Sequence, residues 1–310
     1  MGWVKRGQIF EVDGQAAWTA SHHAQLPVPV MVGDGRLRVY FSTRDEQNRS
    51  RSGFFETEAD EPANVAYVHD RPALELGEPG AFDDIGVMAS CVVESDGEHY
   101  VYYIGFTKGV DSPYETEVGL AVSTDGGMSF ARRASAPLLD RAGGEPPGTN
   151  SPFVMREGGV WKMWFGAFTG WDRTTERVEP VYVIRYAESS DGVRWYRDDA
   201  DCIEPLSDGE ANARAWVVHE EGTYRMWFSY RSILDFRENR ERSYRIGYAE
   251  SDDGVSWERR DEEAGLGPSQ EGWDSEMAAY GCIYEHGGAR HMLYNGNGFG
   301  RSGIGHAIAA

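Results

Sequence analysis

The chain has 310 residues, 40% of them hydrophobic and 13% aromatic, which is enough apolar side chain to bury a sizeable core and excludes a mainly disordered protein. Lys and Arg number 30 against 51 Asp and Glu, a net charge of −21, so the long-range field repels phosphate and opposes a nucleic-acid groove or an anionic membrane surface as the main partner. Three cysteines (Cys91, Cys202, Cys282), with no Cys-x-x-Cys pair, exclude a disulfide framework and a zinc site built on cysteine.

Residues 1–12 carry no apolar stretch of the signal-peptide kind, and Arg6 stands where a myristoylation signal needs Ser or Thr. No run approaches the roughly 18 apolar residues of a membrane helix. The expectation is a cytoplasmic protein. The first predicted element is a short strand around GWVKR (2–6), which looks like VSWER (255–259). A polar turn, GDGRLR, then leads into an aromatic strand at Val39-Tyr40-Phe41, followed by a third strand within SGFFETEADEPANV (52–65) that lacks an Asp-Gly turn.

From there the chain repeats. SDGEHY precedes Val101-Tyr102-Tyr103, EGGVWK precedes Met163-Trp164-Phe165, EEGTYR precedes Met226-Trp227-Phe228, and HGGARH precedes Met292-Leu293-Tyr294. The five aromatic strands are spaced by 62, 62, 63 and 66 residues. A second motif keeps the same phase: GLAVSTDGGMSF (119–130), RYAESSDGVRW (185–195) and GYAESDDGVSW (247–257). Each is an apolar strand, a Ser-x-Asp-Gly turn and an aromatic opening the next strand; Asp-Gly supplies the positive φ of a tight hairpin. Each repeat therefore reads as four antiparallel strands, and repetition at this period means stacked or radial units. The prediction is an all-β five-bladed β-propeller, one domain spanning 1–310. The last repeat lacks a fourth strand, so the N-terminal strand is expected to pair into the last blade and close the ring, removing two exposed edges.

The Ser-x-Asp-Gly-x-x-Trp/Phe signature, the blade count and the length resemble the five-bladed β-propeller glycoside hydrolases, the broad group holding the family 43, family 32 and family 130 enzymes. The resemblance covers the whole chain. The run Asn-Gly-Asn-Gly-Phe-Gly (295–300), followed by Gly-Ile-Gly-His-Ala, is similar to members of that group. It implies a carbohydrate-active enzyme, with a site on the axis at the face where the inner strands begin and the second-to-third strand connections open. The best-known members place an Asp at the start of blade 1 and a Glu acid in blade 3. Here blade 1 offers His22, His23 and Gln25, and blade 3 offers Thr149, Asn150 and Ser151, with Glu145 upstream. The Asn-Asp-Pro, Arg-Asp-Pro and Glu-Cys signatures of the fructan-cleaving members are absent, so the usual triad does not carry over.

Glycoside hydrolysis needs two carboxyl groups flanking the scissile bond. Candidates at inner-strand starts are Asp83 and Asp84 in blade 2 and Asp274 and Glu276 in blade 5. Asp84 and Glu276 are taken as the acid/base pair, with His23 as auxiliary base or orienter; Asp83 and Asp274 are substrate-binding candidates that could equally bond backbone or cap a turn. Arg44, Arg214 and Arg231 are suited to grip a carboxylate or phosphate, as a phosphorylase requires, although a salt bridge is the commoner fate of an arginine. Asn150, Asn295, Tyr230 and Trp171 complete the binding set, with Phe236 and Phe299 as further rim aromatics for stacking on a sugar. Trp164, Trp195, Trp216, Trp227 and Trp257 keep the blade period and read as packing residues, and Cys91 and Cys282 as small buried hydrophobes. No His-x-x-x-His or acidic metal cluster is present, so no cofactor is expected; some relatives hold a structural ion in the central channel, which stays open. The expected partner is a small molecule or oligosaccharide. The alternatives are a biosynthetic propeller enzyme (phosphorylase, group transfer or cyclisation) and a non-catalytic saccharide-binding propeller. The sequence carries no signal for oligomeric state.

Overall fold

The structure is a computed structural model that describes residues 2–14, 17–19, 22–139, 148–174, 177–207 and 209–310. Strand β1 (Trp3–Phe10) has no partner near it in sequence. A first unit follows, built from β2 (His22–Met31), β3 (Arg36–Arg44), β4 (Ser50–Glu58) and β5 (Val65–Val68). The second holds β6 (Gly86–Ser95), β7 (Glu98–Thr107), β8 (Glu115–Ser123) and β9 (Ala131–Arg132). The third holds β10 (Thr149–Glu157), β11 (Val160–Asp172), β12 (Glu179–Ser189) and β13 (Tyr196–Asp201). The fourth holds β14 (Glu210–Glu220), β15 (Thr223–Ser232), β16 (Arg245–Ser251) and β17 (Glu258–Arg259). The last has β18 (Ala279–His286), β19 (Ala289–Asn295) and β20 (Ile304–Ala309), and β1 pairs antiparallel to β20 as its fourth strand. The expected pairing of the N-terminal strand into the last unit is thus observed. Among the described residues no helix is long and apolar enough to cross a membrane.

One feature departs from separate four-stranded units. A single parallel bridge, Ser50 to Gly86, joins the first and second units into one eight-stranded sheet. Both residues are small, so the start of β4 can approach the start of β6 closely at the end where the inner strands begin.

The repeat is visible in register. Tyr40, Tyr102, Trp164, Trp227 and Leu293 on the second strands lie opposite Val28, Cys91, Phe153, Trp216 and Cys282 on the inner strands. All ten are buried in one continuous core, the two cysteines among them as predicted. In four of the five inner strands the residue two positions before that pair is left-handed although it is not glycine: Leu26 (φ 53°), Ser151 (φ 45°), Arg214 (φ 54°) and Tyr280 (φ 58°). Each sits in a register shift between inner and second strand, a bulge that re-aims a side chain and recurs at functional ends of sheets.

The Ser-x-Asp-Gly turns hold neighbouring units together. In each, the Asp carboxylate accepts two backbone N–H groups: Met128 and Ser129 on Asp125, Val193 and Arg194 on Asp191, Val255 and Ser256 on Asp253. A glycine at φ 72–79° then presents its carbonyl to the aromatic of the preceding unit: the motif's own Gly192 and Gly254 in two turns, and Gly127, one residue past the motif, in the other. Tyr40 Oη donates to Gly127 O at 2.7 Å, Tyr102 Oη to Gly192 O at 2.9 Å, and Trp164 Nε1 to Gly254 O at 2.8 Å. The fourth aromatic, Trp227, meets no such turn; its Nε1 has no partner and its ring packs edge-on against Trp3 of β1.

Candidate active site

The inner-strand starts and the second-to-third strand connections converge on a cavity of ≈ 360 Å³, with lining residues from all five units. The first unit contributes Gln25, Leu26 and Arg44; the third and fourth contribute Asn150, Ser151, Glu179, Tyr182, Arg231, Arg237 and Tyr244; Tyr280 and Phe299 come from the last. One set of positions is in phase with the repeat. Gly53, Gly119, Arg185 and Gly247 lie opposite Phe41, Tyr103, Phe165 and Phe228. The residue three before each is Ser50, Thr116, Tyr182 and Tyr244, and all four line the cavity.

Among the described residues the lining carries three guanidinium groups and one carboxylate. Arg237 takes that carboxylate whole: its Nε and Nη2 donate to Glu179 Oε1 and Oε2 at 2.6 and 3.0 Å. Arg44 donates to the amide oxygens of Gln25 (3.0 Å) and Asn48 (3.1 Å), and burial draws its pKa below the usual guanidinium value. Arg231, 1% exposed, donates to the Pro180 and Ser232 carbonyls and, through Nε, to the hydroxyls of Tyr182 (3.3 Å) and Tyr244 (3.2 Å), which are hydrogen-bonded to each other. Phe236 is sandwiched, its centroid 3.9 Å from the Arg231 guanidinium carbon and 4.7 Å from that of Arg237. Among the described residues neither Arg44 nor Arg231 has a carboxylate partner. The Thr116 hydroxyl is buried without a hydrogen-bond partner, so the cavity wall also presents an unused polar group.

Of the sequence candidates, Arg44 and Asn150 line this cavity, together with Arg231, Phe236 and Phe299. Trp171 stands behind it, edge-on to Tyr114 and Phe168. His23 is buried beside the site, with its Nδ1 2.8 Å from His22 Nδ1; burial, then Arg44, lowers its pKa to about 4. It is neutral at neutral pH and a weak base.

The carboxylates are placed elsewhere. Asp84 is half-buried outside the cavity, accepting from Gly80 N and Thr107 Oγ1 at 2.9 Å each. Glu276 is exposed outside it, with its backbone N–H bonded to Asn297 Oδ1. Neither Asp84 nor Glu276 is among the described residues that line the cavity. Asp83 and Asp274 are likewise not in the cavity. Asp83 accepts from Arg132 (2.7 Å) and Tyr103 Oη (2.8 Å), and Asp274 from Lys5 (2.5 Å) and Tyr294 Oη (3.0 Å), the same trio in two units, tying a loop to the second and fourth strands. Asn295, fully buried, accepts from Leu26 N and donates to Ala24 O and Gly303 O, joining the last unit to the first. Tyr230 stacks under Arg259 (4.8 Å) away from the cavity. Glu145 lies outside the described residues.

Arg214 has a third fate. From the fourth unit it crosses the axis: Nη1 donates to Ser90 O (2.7 Å) and Ser90 Oγ (2.6 Å), and Nη2 to Pro27 O (3.0 Å), in the second and first units. Its Nε is buried without a partner. A guanidinium on the axis does not fit a metal cation in a central channel, and among the described residues no group of three His, Cys, Asp or Glu side chains is placed to hold one.

Sequence reasoning missed Arg237, Glu179 and the tyrosines Tyr114, Tyr182, Tyr244 and Tyr280. Tyr182 and Tyr244 were findable, because they hold one position of the repeat 62 residues apart. The Arg237–Glu179 pair has no local signal, since it links two units.

No protein-family model matches the chain. A protein of Mycobacterium tuberculosis described as uncharacterized protein Rv1502 is 37% identical over 309 residues, covering 99% of each chain. A solved structure described as a glycoside hydrolase superposes with a TM-score of 0.74 at 16% identity, covering 98% of this chain and 90% of that one. A putative glycosidase from Bacteroides thetaiotaomicron gives 0.70 at 14% identity, covering 98% and 96%, and a thermostable family-43 glycoside hydrolase gives 0.68 at 17%, covering 92% and 88%. The fold is that of the propeller glycoside hydrolases.

Proposed function

The chain belongs to the same family as the mycobacterial protein Rv1502, and on that footing we propose that it is a carbohydrate-active enzyme whose axial pocket takes a saccharide bearing a negatively charged group. The observation that carries this is the pocket's charge. Arg44 and Arg231 lie in a cavity whose one carboxylate is consumed by Arg237, in a protein whose net charge is −21. Buried cations without a carboxylate partner are costly unless a ligand supplies the anion. Phe236, Phe299 and the tyrosines supply the flat apolar faces that sugars stack on. The five four-stranded units are read as five blades of one domain spanning 1–310, a reading supported by the common register of the second strands and by the fold of the structural relatives.

A rival reading keeps glycoside hydrolysis by Asp84 and Glu276, supported by their position in sequence at one end of two inner strands. Calorimetry and turnover with neutral and acidic oligosaccharides, with and without phosphate, separate the two. Acidic saccharides are expected to bind at least tenfold more tightly than their neutral counterparts, and Glu276→Gln is expected to change neither affinity nor turnover by more than about twofold, as for a surface residue. Equal affinity for neutral sugars, or collapse of turnover in Glu276→Gln, returns the chemistry to the carboxylate pair.

A further inference from the structure

The cavity that this reading equips for an acidic sugar lacks the means of ordinary glycoside hydrolysis. Glu179 is the one carboxylate among its described lining residues, and both its oxygens are held by Arg237. Its proton-bearing groups are phenols: Tyr114, Tyr182, Tyr244 and Tyr280 all line it. Tyr182 and Tyr244 share a hydrogen bond, and Arg231 Nε donates toward both oxygens. A phenolate formed in that pair is met by one phenolic O–H and one guanidinium N–H, charge-assisted donors that partly offset the cost of burying it. The Tyr114 hydroxyl has no protein partner among the described residues, which leaves it able to donate to a ligand.

We propose that the site cleaves a uronate-containing saccharide by β-elimination. This rests on the anionic-saccharide reading and names its substrate class: a hexuronate linked through its O4. Arg44 binds the uronate carboxylate and offsets its charge, which acidifies the proton on C5. The phenolate of the Tyr182–Tyr244 pair takes that proton. The electron pair of the C5–H bond forms the C4=C5 double bond, the C4–O4 bond breaks, and the departing sugar oxygen takes a proton from Tyr114. The proton gained by the base returns to Tyr114 through solvent. No water, phosphate or oxidant is consumed, and the products are a saccharide with a free hydroxyl and a 4,5-unsaturated uronate.

The groups facing the phenol pair are Arg231 and Arg237, Glu179, and the phenols of Tyr114 and Tyr280. Burial raises both phenols above the ordinary tyrosine value, and Arg231 acts in the opposite direction. The base form therefore grows as pH rises, and kcat is expected to climb from neutral into the alkaline range.

The test uses the full-length protein with oligogalacturonides and oligoglucuronides beside their neutral homologues. Binding is read by calorimetry, and elimination by the ultraviolet absorbance of the unsaturated product and by mass spectrometry in heavy-oxygen water. Expected are unsaturated products without heavy oxygen, no phosphate requirement, and a kcat at least 100-fold lower in Tyr182→Phe and Tyr244→Phe with Kd within about threefold, the size of a lost general acid–base contribution. Arg231→Lys, which keeps the charge, is expected to displace the alkaline rise; melting curves and circular dichroism confirm that each variant folds. Tight uronide binding with no unsaturated product, heavy oxygen in the products, or full turnover in folded Tyr→Phe variants overturns elimination while leaving the anionic-saccharide reading intact. Binding of other acidic saccharides but of no uronide overturns the uronate assignment, and failure of every acidic saccharide to bind overturns the underlying reading as well.

Discussion

The two ends of the repeated units obey different rules. Strand β8 shows both, with Thr116 on the cavity near its start and Ser123 in the turn at its end. At the turn end, three units carry the same Ser-x-Asp-Gly motif, with one extra glycine, Gly127, in the second unit. In each, Asp Oδ1 accepts two backbone N–H groups, and a glycine carbonyl receives the aromatic donor of the previous unit. At the cavity end the corresponding positions keep a hydroxyl but differ in size: Ser50 and Thr116 are small, Tyr182 and Tyr244 are large, and Thr116 is left without a partner. The turn positions, alike in sequence, join neighbouring units; the cavity positions vary in size from unit to unit.

Arg214 is the sharpest challenge to that division, because it sits on the cavity side yet bonds only to the protein. Arg214→Ala is expected to cost about 3 kcal/mol in urea unfolding, since Ser90 and Pro27 lose charge-assisted donors in a buried setting. Unchanged stability with lost ligand binding would move Arg214 to the ligand's side. Arg44→Ala should do the reverse, weakening an acidic saccharide by roughly 10- to 100-fold, the value of one or two hydrogen bonds to a charged group, with melting nearly unchanged. At the turn end, Gly192→Ala places a Cβ 2.8 Å from Tyr102 Oη at φ 72°. About 1–2 kcal/mol of stability should be lost, with no effect on ligand affinity. The smallest effect is on acid stability. Burial opposes ionisation of Asp125, but hydrogen bonds from Ser123, Ser129 and the Met128 and Ser129 backbone hold its pKa down at about 2. Its contribution is present above the unfolded carboxylate value near 3.9 and is lost as pH falls through about 2; for so exposed a group it is below ~1 kcal/mol, readable as the difference between wild type and Asp125→Asn across pH 5 to 2.

The same division explains how far the sequence could be read. The aromatic strands, the Ser-x-Asp-Gly turns and the closure by Trp3–Phe10 were legible because each is repeated, and a repeat needs no knowledge of distant contacts. Asp83 and Asp274 were taken as ligand groups although they too repeat, each preceded by an aromatic and placed 191 residues apart. Their partners, Tyr103 with Arg132 and Tyr294 with Lys5, show that this repetition was a fold signal. Arg44, Arg231 and Asn150 were picked out by their place at strand ends, and they line the cavity. The Arg237–Glu179 pair and the Tyr182–Tyr244–Arg231 cluster join residues of the third and fourth units, so they exist only once those two units have packed together.

The Arg214 side chain also acts as an internal tie. Its guanidinium, in the fourth unit, is bonded to residues 124 and 187 positions away in sequence, in the second and first units. These inner strands cannot move apart without breaking hydrogen bonds to a buried charged group.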